Sequence, residues 1–152
     1  MEKIWLKSYP AGVPAEVDVN EFESIGQLFD RSVRSFRDNI AYTNMGKSLT
    51  YGELDGHTRD LQSLGLPKGT RVAVMMPNLL QDPVSIYGIL RGGYTVVNCN
   101  PLYTPRELEH QLKDSGAEAI IIVENFASVL QECIAKTPLK HVIVTSLGDM
   151  LG

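Results

Sequence analysis

Cysteine is scarce, long apolar runs are missing and neither sign of charge dominates; each shortage removes a class of protein. The two cysteines, Cys99 and Cys133, lie far apart and form neither a metal-ligand nor a redox spacing. Two free thiols fit a reducing cytosol. The purest apolar run, Ala119-Ile120-Ile121-Ile122-Val123, is far too short to span a bilayer. Residues 1–7 contain no apolar export segment and no small-residue cleavage site. A formal charge of −4 and a pI near 5.3 argue against a nucleic-acid partner, which requires a basic face to neutralise phosphates. Trp5, Leu6 and Tyr9 beside Lys3 and Lys7 offer a surface for peripheral membrane contact. An arm, residues 1–20, packing on its own domain is the simpler reading, because the stretch is too short for a strong interfacial helix. The expected location is cytoplasmic, with contact at the inner face of the cell membrane as the alternative.

What is present is an ordinary globular composition, with 43% apolar and 21% charged residues and enough chain for one domain with a sizeable core. Ile25, Leu28, Phe29, Val33 and Phe36 recur at helical spacing, and Ser24 is placed to cap a helix over residues 24–37. Two extended runs, residues 40–44 and 48–50, are joined by Met45-Gly46-Lys47, a hairpin signature. Thr50-Tyr51-Gly52-Glu53 reads as a capping box that opens a second helix. From there apolar strands alternate with helices: strand 71–76, helix 83–91 ended by Gly92-Gly93, strand 94–98, helix 105–115, strand 118–123, helix 125–135 and strand 141–145. Thr104-Pro105-Arg106-Glu107 is the strongest helix start, with Thr as cap, Pro first and Glu third. The pattern predicts an α/β fold: a mostly parallel sheet with helices on both faces, Rossmann-like or flavodoxin-like, plus a short N-terminal hairpin. After strand 141–145 only Ser146-Leu147-Gly148-Asp149-Met150-Leu151-Gly152 follows, so the series is expected to be cut short at 152.

Such folds bind ligands at the carboxyl ends of their strands, yet the chemistry there is sparse. Gly46-Lys47-Ser48 resembles the end of a phosphate-binding loop, but position 41 is Ala41 where the earlier glycine belongs, and a strand follows instead of a helix. A hairpin turn is the better reading. No Gly-x-Gly-x-x-Gly follows a strand, and no Gly-x-Ser-x-Gly elbow occurs. The strand ends carry Asn44, Pro77 and Asn100, not an acidic cluster. His110 and Asp114 have an acyltransferase-like spacing, but on a helix they sit one turn apart, away from the Leu108/Leu112 stripe, as a solvated ion pair would. His57 and His141 have no evident partner. Cys99, beside a strand end, is better read as a small buried hydrophobe than as a nucleophile.

Three stretches together carry a resemblance: Arg71-Val72-Ala73-Val74-Met75-Met76-Pro77-Asn78, then Gly88-Ile89-Leu90-Arg91-Gly92-Gly93, then Asn98-Cys99-Asn100-Pro101-Leu102-Tyr103-Thr104-Pro105-Arg106-Glu107-Leu108. They are similar to the N-terminal region of acyl-adenylate-forming ligases of the AMP-binding superfamily. The run from Asn100 to Leu112 resembles the bacterial long-chain fatty-acid–CoA ligase branch, and Trp5-Leu6, Tyr9-Pro10 and Leu49-Thr50-Tyr51-Gly52-Glu53-Leu54 fit as well.

That resemblance implies a two-step reaction in which a fatty carboxylate attacks ATP, assisted by Mg²⁺, giving an acyl-adenylate and pyrophosphate. Coenzyme A thiol then displaces AMP. It also implies that the phosphate loop, the nucleotide-binding acids and the mobile lysine domain lie beyond residue 152. Residues 21–152 are then expected to form the first subdomain, without catalytic, cofactor or metal residues of its own and inactive alone. Fatty acid, ATP and CoA are the implied partners of the whole enzyme, with a homodimer left open. The alternative is a stand-alone α/β binding or dimerisation module. One departure from the family is a segment between Thr50 and Lys68 about one turn short, roughly 4 residues, which predicts a short, weakly packed helix.

Overall fold

The computed structural model describes residues 2–61 and 65–152. A 3-10 turn at Ile4–Ser8 precedes helix α1 (Ile25–Phe36), the hairpin strands β1 (Ile40–Asn44) and β2 (Lys47–Thr50), and helix α2 (Tyr51–Asp60). The alternating portion runs β3 (Arg71–Met75), α3 (Gln81–Arg91), β4 (Thr95–Asn98), α4 (Pro105–Ser115), β5 (Ala119–Val123), α5 (Ala127–Cys133) and β6 (His141–Thr145). The last four strands form one parallel sheet in the order β4-β3-β5-β6, and β1 pairs β2 separately, antiparallel. This is the flavodoxin-like variant of the expected layer.

Local chemistry explains the boundaries. Thr50 and Thr104 each accept from the backbone of the residue three positions on, while Glu53 and Glu107 reach back to the cap, so both capping boxes form. Ser24 caps α1 by accepting from the Gln27 N–H. Gly116 closes α4 in the left-handed conformation, φ 63°. In the hairpin, Met45 and Gly46 both take positive φ, 48° and 80°, between the paired Asn44 and Lys47. That is the type I′ geometry a two-residue loop needs.

Alternation along the strands sends side chains into two cores. Val72, Val74, Ala119, Ile121 and Val123 pack with Ile89 of α3 on one face. Ala73, Met75, Ile120 and Ile122 pack with Leu108, Leu112, Leu130 and Cys133 of α4 and α5 on the other. A smaller cluster of Phe29, Val33 and Leu54 joins α1 and α2, with Tyr87 of α3 against it.

Three expectations need correction. Helix α3 begins at Gln81, placing Pro83 in the first turn, where its missing N–H costs no helical bond. The expected helix over 125–135 is α-helical only at Ala127–Cys133, flanked by 3-10 turns Glu124–Phe126 and Ile134–Lys136, because neither end has a side-chain cap. Helix α2 was expected to be weakly packed, but over its described span, Tyr51–Asp60, Leu54 and Thr58 are fully buried. The question of whether it runs past Ser63 lies outside the described residues.

Candidate functional site

Strand order places the topological switch between β3 and β5, since β4 lies on one side of β3 and β5, β6 on the other. Ligands of open α/β sheets sit at the carboxyl edge there. In this chain that edge is polar but already engaged. Asn100 closes an Asx turn, its Oδ1 accepting from the Leu102 N–H at 3.0 Å. Gln81 donates from Nε2 to the Ser146 carbonyl at 2.8 Å, tying the start of α3 to the end of β6. Asp149 accepts from the Ser146 N–H and the Thr145 hydroxyl, and these bonds hold its carboxyl below the ordinary value. The α4 N-terminus, a ready anion site in other proteins, is occupied by Thr104 and Glu107.

The residues singled out in the sequence are not brought together. Gly46-Lys47-Ser48 forms the hairpin turn and the start of β2. His110 and Asp114 are both exposed. The ion pair expected there is absent among the described residues; on that helix Lys113 pairs instead with Glu109, at 2.5 Å. His57 and His141 lie exposed on α2 and β6. Cys99 is buried in the α4/α5 core, and burial pushes its thiol up to about 11, far from nucleophilic at neutral pH. Cys133 is buried and raised likewise. Among the described residues no three His, Cys, Asp or Glu side chains converge on a metal position.

A polar centre that sequence reasoning missed joins α1, α2 and α3. The Arg91 guanidinium donates to Asp55 Oδ1 and to the Thr58 hydroxyl, both at 2.7 Å, and lies 3.4 Å from Asp30. Arg59 holds the other Asp55 oxygen at 2.7 Å. The Arg91 guanidinium also sits 5.4 Å from the centre of the Phe29 ring. Burial drives the Asp55 carboxyl up, and the Arg59 and Arg91 hydrogen bonds and charges outweigh it, leaving the group below its ordinary value. Both Asp55 oxygens are used, so this buried carboxylate orients helices and is not a free base. Asp55 and Arg59 were one turn apart on a predicted helix; Arg91, 36 residues on, had no local signal.

The model of the AMP-binding enzyme family matches residues 29–151. The chain belongs to that family. Over its whole length it is 53% identical to a long-chain-fatty-acid–CoA ligase of Yersinia pestis and 51% identical to one of Haemophilus influenzae. It spans 28% of the length of each of these curated relatives. Both alignments run over 157 positions, five more than the chain's 152 residues, so relative to these family members it carries gaps. Among solved AMP-binding structures, a long-chain-fatty-acid-CoA ligase from Archaeoglobus fulgidus superposes with a TM-score of 0.70 at 25% identity, covering 83% of this chain and 29% of that one. The α/β layer with its parallel four-stranded sheet is thus the family's own.

Proposed function

We propose that residues 21–152 form the first subdomain of a long-chain fatty-acid–CoA ligase, which joins a fatty acid to CoA with cleavage of ATP to AMP and pyrophosphate. The observation that supports this most is the identity of about half of all positions with ligases of that name, across the entire chain. The described residues do not fit ATP phosphates or Mg²⁺: the α4 N-terminus is self-capped, and no acidic cluster lies at the strand ends. On this reading no catalytic, cofactor or metal role is assigned to any residue here, and nucleotide, Mg²⁺ and CoA chemistry falls to the part of such ligases that this chain does not span. The contribution of this subdomain is a rigid wall, built on the sheet and locked to α1 and α2 by the Asp55–Arg91 pair.

The test is a chimera in which this chain replaces its aligned segment in the Yersinia pestis ligase. Incubated with oleate, ATP, Mg²⁺ and CoA, the soluble chimera is expected to form oleoyl-CoA, and the 152-residue chain alone none above a protein-free control. A folded chimera without thioester formation, or turnover by the chain alone, overturns the reading.

A cytoplasmic location suits the reaction, and no helix among the described residues is long and apolar enough to cross a membrane. The exposed Ile4, Trp5 and Tyr9 favour a peripheral membrane contact as a second reading. Opposing it, Lys3 and Lys7 are paired with Glu16 and Glu2, which weakens attraction to anionic lipid. Co-sedimentation with anionic vesicles decides between them. For a homodimer, the exposed Val142 and Val144 on edge strand β6 are the supporting observation, and light scattering after size exclusion checks it.

A further inference from the structure

Between the later turns of α1 and helix α2 lies a cleft of about 460 Å³ whose lining includes Asp30, Arg34, Arg37, Asp55, Arg59 and Arg91. Its charge runs against that of the chain. Four guanidinium groups face two carboxylates, an excess of two positive charges, in a protein of formal charge −4. Both carboxylates are accounted for. Asp55, with 8% of its side chain exposed, gives one oxygen to Arg91 and the other to Arg59. Asp30, one turn before Arg34 on α1, lies 3.4 Å from Arg91. Arg34 and Arg37 take part in no ion pair among the described residues.

The walls of the cleft are positioned by contacts beneath them. Arg59 is held by the buried Asp55 carboxylate at 2.7 Å. The stem of Arg37 lies over Gly52, where a Cβ would come within 3.1 Å of its Cγ, and the Gly52 N–H donates to the Arg37 carbonyl at 2.8 Å. Basic residues at the end of α1 suit the helix dipole, but that does not bring Arg59 from α2 to the same cleft. A second depression of about 520 Å³ shares Asp30, Arg34 and Arg91 and adds Ser24 and Gln27, which leaves room for the body of a ligand. Guanidinium forks suit phosphate and carboxylate oxygens alike. The charge count separates the two: a carboxylate carries one negative charge, whereas a phosphomonoester carries roughly 1.5–2 at neutral pH and matches the excess. A long polyanion is disfavoured by the net negative charge of the chain.

We propose that this cleft binds a phosphomonoester, its phosphate seated among Arg34, Arg37 and Arg59. The site is separate from the acyl-transfer chemistry of the preceding reading and does not depend on it. The experiment is an NMR titration of the folded chain at low ionic strength with phenyl phosphate, and with benzoate as the singly charged anion on the same ring. Saturable shifts at residues 30–37, 52–59 and 91 are expected for phenyl phosphate, with benzoate about tenfold weaker. Arg34→Gln and Arg37→Gln should each weaken phenyl phosphate about fivefold, the loss of one partly exposed charge-assisted hydrogen bond. Arg31→Gln removes the same charge from the same helix but outside the cleft, where Arg31 pairs with Glu21 and covers the Phe22 ring; it should leave binding unchanged. Phosphatidylcholine vesicles with and without phosphatidic acid separate two sources of the group. Capture by the phosphatidic acid vesicles that Arg34→Gln abolishes points to a lipid headgroup; phenyl phosphate binding without such capture points to a free phosphorylated small molecule. Absence of saturation, equal binding of benzoate, or an Arg31→Gln loss as large as that of Arg34→Gln overturns the proposal.

Discussion

The sheet with α4 and α5 is held almost wholly by apolar contact, whereas α1 and α2 are fastened to α3 by an ion pair over a small core. On the first side, Ala73, Met75, Ile120, Ile122, Leu108 and Leu112 are buried without a polar atom among their side chains except a thioether. On the second, Asp55 and Arg91 keep only 8% and 14% of their side-chain surface exposed beside Phe29, Val33 and Leu54. Apolar packing tolerates substitution by degrees, because loss scales with the area and volume removed. A buried ion pair fails abruptly, since removing one partner strands the other charge.

The comparison can be broken at its strong side first. Leu112→Ala is expected to cost about 4 kcal/mol through lost burial and a residual cavity, seen as a lower urea midpoint by every probe. Asp55→Ala should cost about 3 kcal/mol, the cost of removing one partner from a buried ion pair. Its distinguishing mark is locality: amide exchange should accelerate in α1, β1, β2 and α2 while β3 and β5 stay protected. Uniform acceleration would show that the two regions are one cooperative unit. The same pair gives a pH signature. The folded-state value of Asp55 is depressed, so its stabilisation is fully present above the ordinary carboxyl value and is lost as pH falls through the folded value. Asp55→Asn should flatten that acid limb of the midpoint-versus-pH curve.

Smaller effects sharpen the contrast. Thr104→Ala removes an N-cap and should cost about 1 kcal/mol, read by thermal melting. Met45→Asn relieves a left-handed backbone position that Asn tolerates far better than Met. A gain of about 0.5 kcal/mol, confined to exchange in the hairpin, is the expected outcome; any loss contradicts the type I′ assignment.

Much of the fold was legible because its signals are local. The bounds of β1 and β6 follow from composition, and both capping boxes follow from a Thr and a Glu three residues apart. Strand order was not, since alternation tells which face a side chain takes and not which strand lies beside it. Nor was the shape of α5, where Asn125 looked like a start but makes no cap. The polar features were the least legible. Arg91 reads as the last turn of a helix, and nothing nearby announces Asp55. Asn44 was visible only as a strand end, and its side-chain amide donates to the Asn78 carbonyl, 34 residues away. Polar specificity here is made by contacts between distant segments, whereas apolar burial is announced by periodicity.

The arm that holds Trp5 has a practical consequence for anyone who follows this chain with light. Trp5 is the lone tryptophan of the sequence and is about half exposed in the 3-10 turn at Ile4–Ser8. Its emission therefore reports the arm and stays nearly blind to the sheet. An unfolding curve traced at tryptophan wavelengths would miss the melting of β3–β6. Tyr42, Tyr51 and Tyr87, clustered where the hairpin, α2 and α3 meet, are the chromophores placed to see the fastening let go.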